Sequence, residues 1–329
     1  MNGTGRMRAA QIARFGGPEV FQLAEVPVPT PDAGEVLVRL EVAGINFSDI
    51  SWRTGRRGGA LPIIAGSEGA GTVAALGPGV DNVAVGDRVA YWNPAIGSYA
   101  EYAICPGFRV VKLPDEMDFG TGAALMLQGF TAHYLARSVF PVREGHCILF
   151  HAGAGGVGQI LIQIAKARGA RVLTTVGTPE KAVFAKEIGA DEAILYREVN
   201  FTEAVRDLTG GEGVDVVYDA VGAETWEGSI DSLKRRGMVV FFGGASGPVP
   251  AFDASILAEK GSLVLSRVTL RDFVVDAEEI GWRAGELFEL WAEGRLKIKI
   301  GQTYPLAEAG ASHADLESRR STGKLLLQI

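Results

Sequence analysis

The chain has 329 residues, a formal net charge of −7, two cysteines and four histidines. That length accommodates two domains of ordinary size. The acidic balance disfavours nucleic acid and anionic membrane as non-specific partners, and two cysteines exclude both a disulfide framework and a four-cysteine zinc site. No apolar stretch reaches the roughly 18 residues of a membrane-spanning helix. The start, MNGTGRMRAA, lacks the apolar core of a leader peptide, so a soluble cytoplasmic protein is expected. MRAAQIARFGGPEVFQLAEVPVP reads as two strands joined by a turn at Gly16, Gly17 and Pro18. EVLVRLEVAGIN alternates apolar and polar residues, and GAGTVAALGPGV and GDRVAYW are further short strands. Residues 1–127 are therefore expected to form a β-rich, barrel-like domain.

From about Ala123 the pattern changes. TGAALMLQGFTAHYLAR has helical spacing, HCILFHA is an apolar strand, and VGQILIQIAKARGA is an amphipathic helix ended by Gly169. RVLTTVG and PEKAVFAKEIGA follow as strand and helix, with Pro179 at the helix start. Strand and helix then alternate through EAILY, FTEAVRDLTG, VDVVYDAVG, TWEGSIDSLKRRG, MVVFFGG, ASILAEKG and SLVLSRV. This alternation predicts an α/β domain over 128–268 with a doubly wound, six-stranded parallel sheet. A long helix, EEIGWRAGELFELWAEG, and a last strand, GKLLLQI, place 269–329 with the first domain. GSLVLSRVTL, residues 261–270, reads as a long apolar edge strand that calls for a partner, which predicts a homodimer.

HAGAGGVG, residues 151–158, carries glycines at 153, 155 and 158 between a strand and a helix. In that context Gly153 permits a tight turn, Gly155 lets a pyrophosphate approach the backbone, and Gly158 lets the helix pack on the strand. An acidic residue that would bond a ribose 2′-hydroxyl belongs about 20 residues further on. TTVGTPEK has Gly177, Thr178 and Pro179 there, followed by Lys181. A lysine attracts a 2′-phosphate that an acid would repel, so NADP(H) is expected over NAD(H). The alternative is that Lys181 is an ordinary solvated lysine.

ARFGGPEVFQLAEVPVP, AGINFSDI, VGDRVAYW, LMLQGFTAHYL, HAGAGGVG, VGTPEKA, VYDAVG, KRRGMVVFFGGASGPV and LESRRSTGKLLL occur in this order. Together they resemble the zinc-independent quinone oxidoreductases of the medium-chain dehydrogenase/reductase superfamily, over nearly the whole chain. The resemblance implies a GroES-like domain beside a Rossmann domain, an NADPH cleft between them and a homodimer. It also implies cofactor residues: Asn46, Gln128 and Thr131 in the cleft; Gly155, Gly156 and Val157 at the pyrophosphate; Gly177, Lys181, Tyr196 and Arg319 around the adenosine phosphate. Val221 and Gly222 follow the fourth strand. Phe242, Gly243, Gly244, Ala245 and Ser246 form a loop near the nicotinamide ribose, and Ser266, Arg267 and Val268 lie near the carboxamide. Taken singly, each of these residues also suits an ordinary turn or core. Some bacterial members have tyrosines at Ser51 and Arg57, which would line the substrate mouth, and a lysine at Gln128.

Zinc-dependent relatives bind the metal with cysteine and histidine, where this chain has Asn46 and Ser67. An amide and a hydroxyl are poor zinc ligands beside thiolate and imidazole, so no metal is expected. Glu68 is expected to have a structural or hydrogen-bonding role. Without a Lewis acid, alcohols are not readily activated. Quinones accept a hydride unaided. The expected activity is NADPH-dependent quinone reduction; the alternative is reduction of α,β-unsaturated ketones or aldehydes. A crystallin-like or RNA-binding relative is a third reading, and the acidic charge argues against RNA. Asn46, Asp49, Gln128 and Thr131 are the candidate catalytic residues, with Tyr134 a further partner for a developing oxyanion. His133 is expected to be packing.

Overall fold

The structure, a computed structural model, describes residues 5–329. The first four residues of MNGTGRMRAA lie outside that range. The described chain divides into two compact units, residues 5–130 with 274–288 and 298–329, and residues 131–273 with 289–297. Among the described residues no helix is long and apolar enough to cross a membrane.

In the first unit, β1 (Arg6–Ile12) and β2 (Phe21–Pro27) pair antiparallel around the Gly16–Pro18 turn. Next come β3 (Glu35–Ile45), the helix Phe47–Arg53, β4 (Ile63–Ile64) and β5 (Glu68–Leu76). β6 (Arg88–Trp92), β7 (Tyr102–Pro106) and β8 (Val110–Lys112) follow. β3 is the hub, pairing antiparallel with both β5 and β7. Its alternating pattern buries Val36, Val38 and Leu40 against Val73, Val89 and Tyr91. Gly44 is required here, because a Cβ would collide with the Glu68 carboxyl group crossing the strand.

The second unit contains β9 (Cys147–His151), β10 (Arg171–Val176), β11 (Glu192–Leu195), β12 (Val214–Asp219), β13 (Leu233–Phe241) and β14 (Val264–Arg267). They form one parallel sheet in the order β11-β10-β9-β12-β13-β14, the doubly wound order expected from the alternating pattern. β15 (Ile300–Pro305), the helix Ala309–Glu317 and β16 (Lys324–Gln328) return to the first unit. β16 adds to β3 antiparallel, with Leu325 opposite Ile45.

Three expectations are corrected. GSLVLSRVTL forms only the four-residue strand β14, because Gly261 and Ser262 both have positive φ before it and a 3₁₀ turn starts at Leu270 after it. In TWEGSIDSLKRRG the helix stops at Asp231, and Lys234 to Gly237 already belong to β13. TGAALMLQGFTAHYLAR is not one regular helix, since π turns at Leu125–Gly129 and Leu135–Val139 interrupt it. The reading also missed β15 and the helix Ala309–Glu317.

Candidate functional site

The glycine turn expected to receive a pyrophosphate lies between β9 and the helix Gly156–Ala167 of the second unit. The helix Gly156–Ala167 starts directly after Gly155, and no side chain caps it, so first-turn N–H groups are available to an anion. A Cβ at Gly153 would overlap the Thr174 hydroxyl, itself bonded to Phe150 O at 2.6 Å. A Cβ at Gly158 would lie 2.6 Å from Ala152 O. One at Gly155 would meet Ala152 O alone, at 3.2 Å, so its side is open for close approach. Gly156 and Val157 are half-buried in the first turn.

The residues expected at the adenosine phosphate in the second unit follow β10 and β11. Thr178 caps the next helix by accepting from Lys181 N, which places Lys181 in the first turn. A Cβ on Gly177 would lie 3.3 Å from Tyr196 Oη and 3.4 Å from Arg197 Nε. Tyr196, 40% exposed, and exposed Arg197 therefore flank the glycine that stands where an acid would be. The sequence reading missed Arg197; its signal was its place beside Tyr196 in ILYRE. Arg319, exposed with φ 57°, lies beyond the helix Ala309–Glu317 in the first unit.

Val221 and Gly222, the loop Phe242–Ser246 and Ser266–Val268 lie at the carboxyl ends of β12, β13 and β14. Buried Asp219 accepts from Val221 N at 2.7 Å and Gly222 N at 2.9 Å, which folds the chain back after β12. Ser246 Oγ donates to Val221 O at 2.7 Å and Ala245 N to Ala220 O at 3.0 Å, so the loop Phe242–Ser246 is pinned to that turn. Gly243 is needed because a Cβ would lie 2.6 Å from Ala220 O; Gly244 lies beside Gly247. Ser266 and Arg267 end β14, and Val268 N donates to Phe241 O at 3.1 Å. Asp219 Oδ2 also accepts from Ser229 Oγ, which contacts His151 Nε2 at 3.0 Å. Burial depresses the His151 pKa, and Asp219 partly offsets this. Thr131 and His133 are buried, and Tyr134 is buried with its ring stacked on Phe273 at 4.4 Å.

In the first unit Asn46 lies at the centre of a buried polar cluster. The register of β16 against β3 brings Lys324 to the end of β3. Lys324 Nζ donates to Ile45 O at 3.1 Å, to Asn46 Oδ1 at 3.0 Å and to Glu68 Oε1. All three ammonium protons are used. Asn46 Nδ2 donates to Glu68 Oε1 at 2.7 Å, and Gln128 Nε2 donates to Asn46 Oδ1 at 3.2 Å. Glu68 Oε2 accepts from Leu127 N at 2.7 Å, inside the π turn that carries Gln128. The sequence reading missed Lys324, although a lysine opening the apolar run KLLL was visible.

Asp49 belongs to a second chain of bonds. It is fully buried, and its Oδ2 accepts from Asn46 N at 2.9 Å, half of a capping box. Arg53 can only donate, so in its 3.2 Å contact with His313 the Nδ1 accepts and the proton is on Nε2. His313 Nε2 then donates to Tyr99 Oη at 3.1 Å, and Tyr99 donates to Asp49 Oδ2 at 3.0 Å. Arg53 ends the chain in two bonds to Glu317, at 3.1 and 2.7 Å. Burial pushes the Asp49 carboxyl up to about 7 despite these donors. Burial, then the Arg53 charge, holds His313 down at about 3. Ser51 and Arg57 are neighbours: Arg57 N donates to Ser51 O at 3.2 Å, and its guanidinium lies over Trp52.

The residues at Asn46 and Ser67 do not fit a metal. Asn46 Oδ1 and Glu68 Oε1 are already engaged by an ammonium, whose charge repels a cation. Ser67 Oγ faces Asp49 Oδ1 at 3.5 Å. The dinucleotide turn, by contrast, fits NADP(H) in its open Gly155 face and in the Lys181, Tyr196 and Arg197 group.

A β-rich unit completed by the carboxyl-terminal strand, with a doubly wound nucleotide-binding unit, defines a medium-chain dehydrogenase/reductase. Family models agree: residues 32–115 match the alcohol dehydrogenase GroES-like domain and residues 156–280 the zinc-binding dehydrogenase domain. The chain is 44% identical to a quinone oxidoreductase of Pseudomonas aeruginosa, covering 96% of this chain and 98% of that one. It superposes with a TM-score of 0.95 on the Escherichia coli quinone oxidoreductase complexed with NADPH, at 40% identity over 98% of this chain and 100% of that one. It is also 38% identical to a 2-haloacrylate reductase of a Burkholderia species, over 97% of this chain and 98% of that one. The chain belongs to the zinc-independent quinone oxidoreductase family.

Proposed function

We propose that the protein reduces quinones with NADPH and without metal. The observation that carries this reading is the buried Lys324–Glu68 pair, which puts a protein-borne ammonium at Asn46, where zinc-dependent relatives have a metal-binding cysteine. When bound, NADPH supplies the hydride. The protein's own residues bind and orient. The turn Gly153–Gly158 receives the pyrophosphate on backbone N–H groups, and Lys181, Tyr196 and Arg197 receive the 2′-phosphate. The loops at Val221–Gly222 and Phe242–Ser246, with Ser266–Val268, hold the nicotinamide end. In the first unit Asn46 and Gln128 face the acceptor, which enters past Ser51 and Arg57. Catalysis comes mainly from positioning, with protons drawn from water. A cytoplasmic homodimer completes the proposal.

The similarity to a 2-haloacrylate reductase favours a second reading, reduction of electron-poor alkenes. A panel of naphthoquinones, benzoquinones, enones and simple alcohols, assayed with NADPH in the presence and absence of a chelator, tests both. We expect quinones to be reduced fastest, alcohols to be inert and the chelator to have no effect. A higher kcat/KM for enones than for every quinone would favour the second reading. Loss of activity with chelator and its return with zinc would overturn the metal-free mechanism.

A further inference from the structure

Buried polar side-chain atoms in folded proteins almost always have a hydrogen-bond partner. Among the described residues, Ser48 Oγ and Gln128 Oε1 are buried and have none. Both adjoin Asn46: Ser48 follows it by two residues in the helix it precedes, and Gln128 bonds its side chain.

The orientation of the Gln128 amide is determined by its neighbours. Lys324 can only donate, so the atom of Asn46 that it contacts is the oxygen. That oxygen also meets Gln128, so Gln128 presents its nitrogen there. Flipping the amide would set two oxygens against each other. Gln128 Oε1 is therefore held as an acceptor and needs a donor from a ligand. Ser48 Oγ can both donate and accept.

We infer that Ser48 and Gln128 form a hydroxyl-binding pair that takes the substrate's oxygen in its reduced state. This rests on the quinone-reductase reading. A quinone oxygen only accepts: it satisfies Ser48 and leaves Gln128 unpaired. Reduction by a hydride and a proton turns that oxygen into a hydroxyl, which also donates. The pair is thus more complementary to the reduced oxygen than to the carbonyl, the direction in which binding favours reaction. A hydroxyl of the cofactor's ribose has the same chemistry and is the competing source.

The test is equilibrium binding of 1,4-naphthoquinone and its hydroquinone, without oxygen, to the NADP⁺-loaded protein, with NADPH affinity and melting temperature measured alongside. Wild type should bind the hydroquinone more tightly. Gln128→Met should weaken hydroquinone binding roughly three- to tenfold and leave quinone binding unchanged; Ser48→Ala should weaken both by a similar factor. Unliganded Ser48→Ala should melt at or above the wild-type temperature, because a partnerless buried hydroxyl has been removed. Unchanged hydroquinone affinity in both variants would overturn the inference. Losses confined to NADPH affinity would place the hydroxyl on the cofactor and overturn the substrate assignment. A wild type that binds NADPH yet neither binds nor reduces quinones would instead refute the functional reading and this inference with it.

Discussion

Lys324 and Glu68 form an ion pair in which neither side chain retains exposed surface. Breaking such a pair from one side leaves an uncompensated buried charge, at a cost of about 3–5 kcal/mol. Lys324→Met should therefore lower unfolding stability by about that amount, and Lys324→Met with Glu68→Gln should recover more than half of it. Urea denaturation of the three proteins measures this. A double variant as unstable as the single one would show that the lysine acts through packing alone.

Cofactor choice should depend on the residues around Gly177. Lys181→Ala and Arg197→Ala should each weaken NADPH binding roughly tenfold and leave NADH binding almost unchanged, because a charged hydrogen bond to the 2′-phosphate is lost at an exposed position. Fluorescence titration with both cofactors decides it; equal losses for NADPH and NADH would mean these side chains do not read the phosphate.

The pH dependence of stability should show two opposed slopes. Asp49 has a folded pKa near 7 against an unfolded value of 3.8, so the folded state holds the extra proton and stability falls as pH rises through that window. His313 has a folded pKa near 3 against 6.5, so the unfolded state holds the extra proton and stability rises with pH between those values. The two effects largely cancel from about pH 4 to 6.5. Asp49→Asn should expose the rising slope and His313→Gln the falling one. Melting temperatures of both variants from pH 4 to 8 check the signs; identical flat profiles would refute the assignment.

β14 is an edge of the parallel sheet, and its Val264 is 46% exposed. Pairing of this strand with its copy would cover both, even though it is shorter than the sequence suggests. Light scattering should give twice the chain mass at micromolar concentration, and Val264→Lys should shift the population towards monomer. A wild-type monomer at that concentration would exclude this dimer.

The sequence by itself determined the elements whose signal is local. The alternation from HCILFHA to SLVLSRV is enough for a parallel sheet, because each strand must bury both faces and each helix one stripe. Gly153, Gly155 and Gly158 in HAGAGGVG each serve a neighbour only a few residues or one strand away. The acid missing from TTVGTPEK was legible for the same reason. Tertiary structure alone decided how the buried polar cluster around Asn46 and Asp49 is wired. Lys324 meets Asn46 only through the register of β16 on β3, and His313 reaches Asp49 only through Tyr99. Those partners are more than 200 residues apart in the chain, and no local pattern encodes their contact. The π turn that offers Leu127 N to Glu68 and carries Gln128 was equally hidden, since its apolar spacing reads as ordinary helix. Buried charges and amides are satisfied wherever the folded backbone happens to bring a partner. Which atom of Gln128 remains open is therefore a property of the fold.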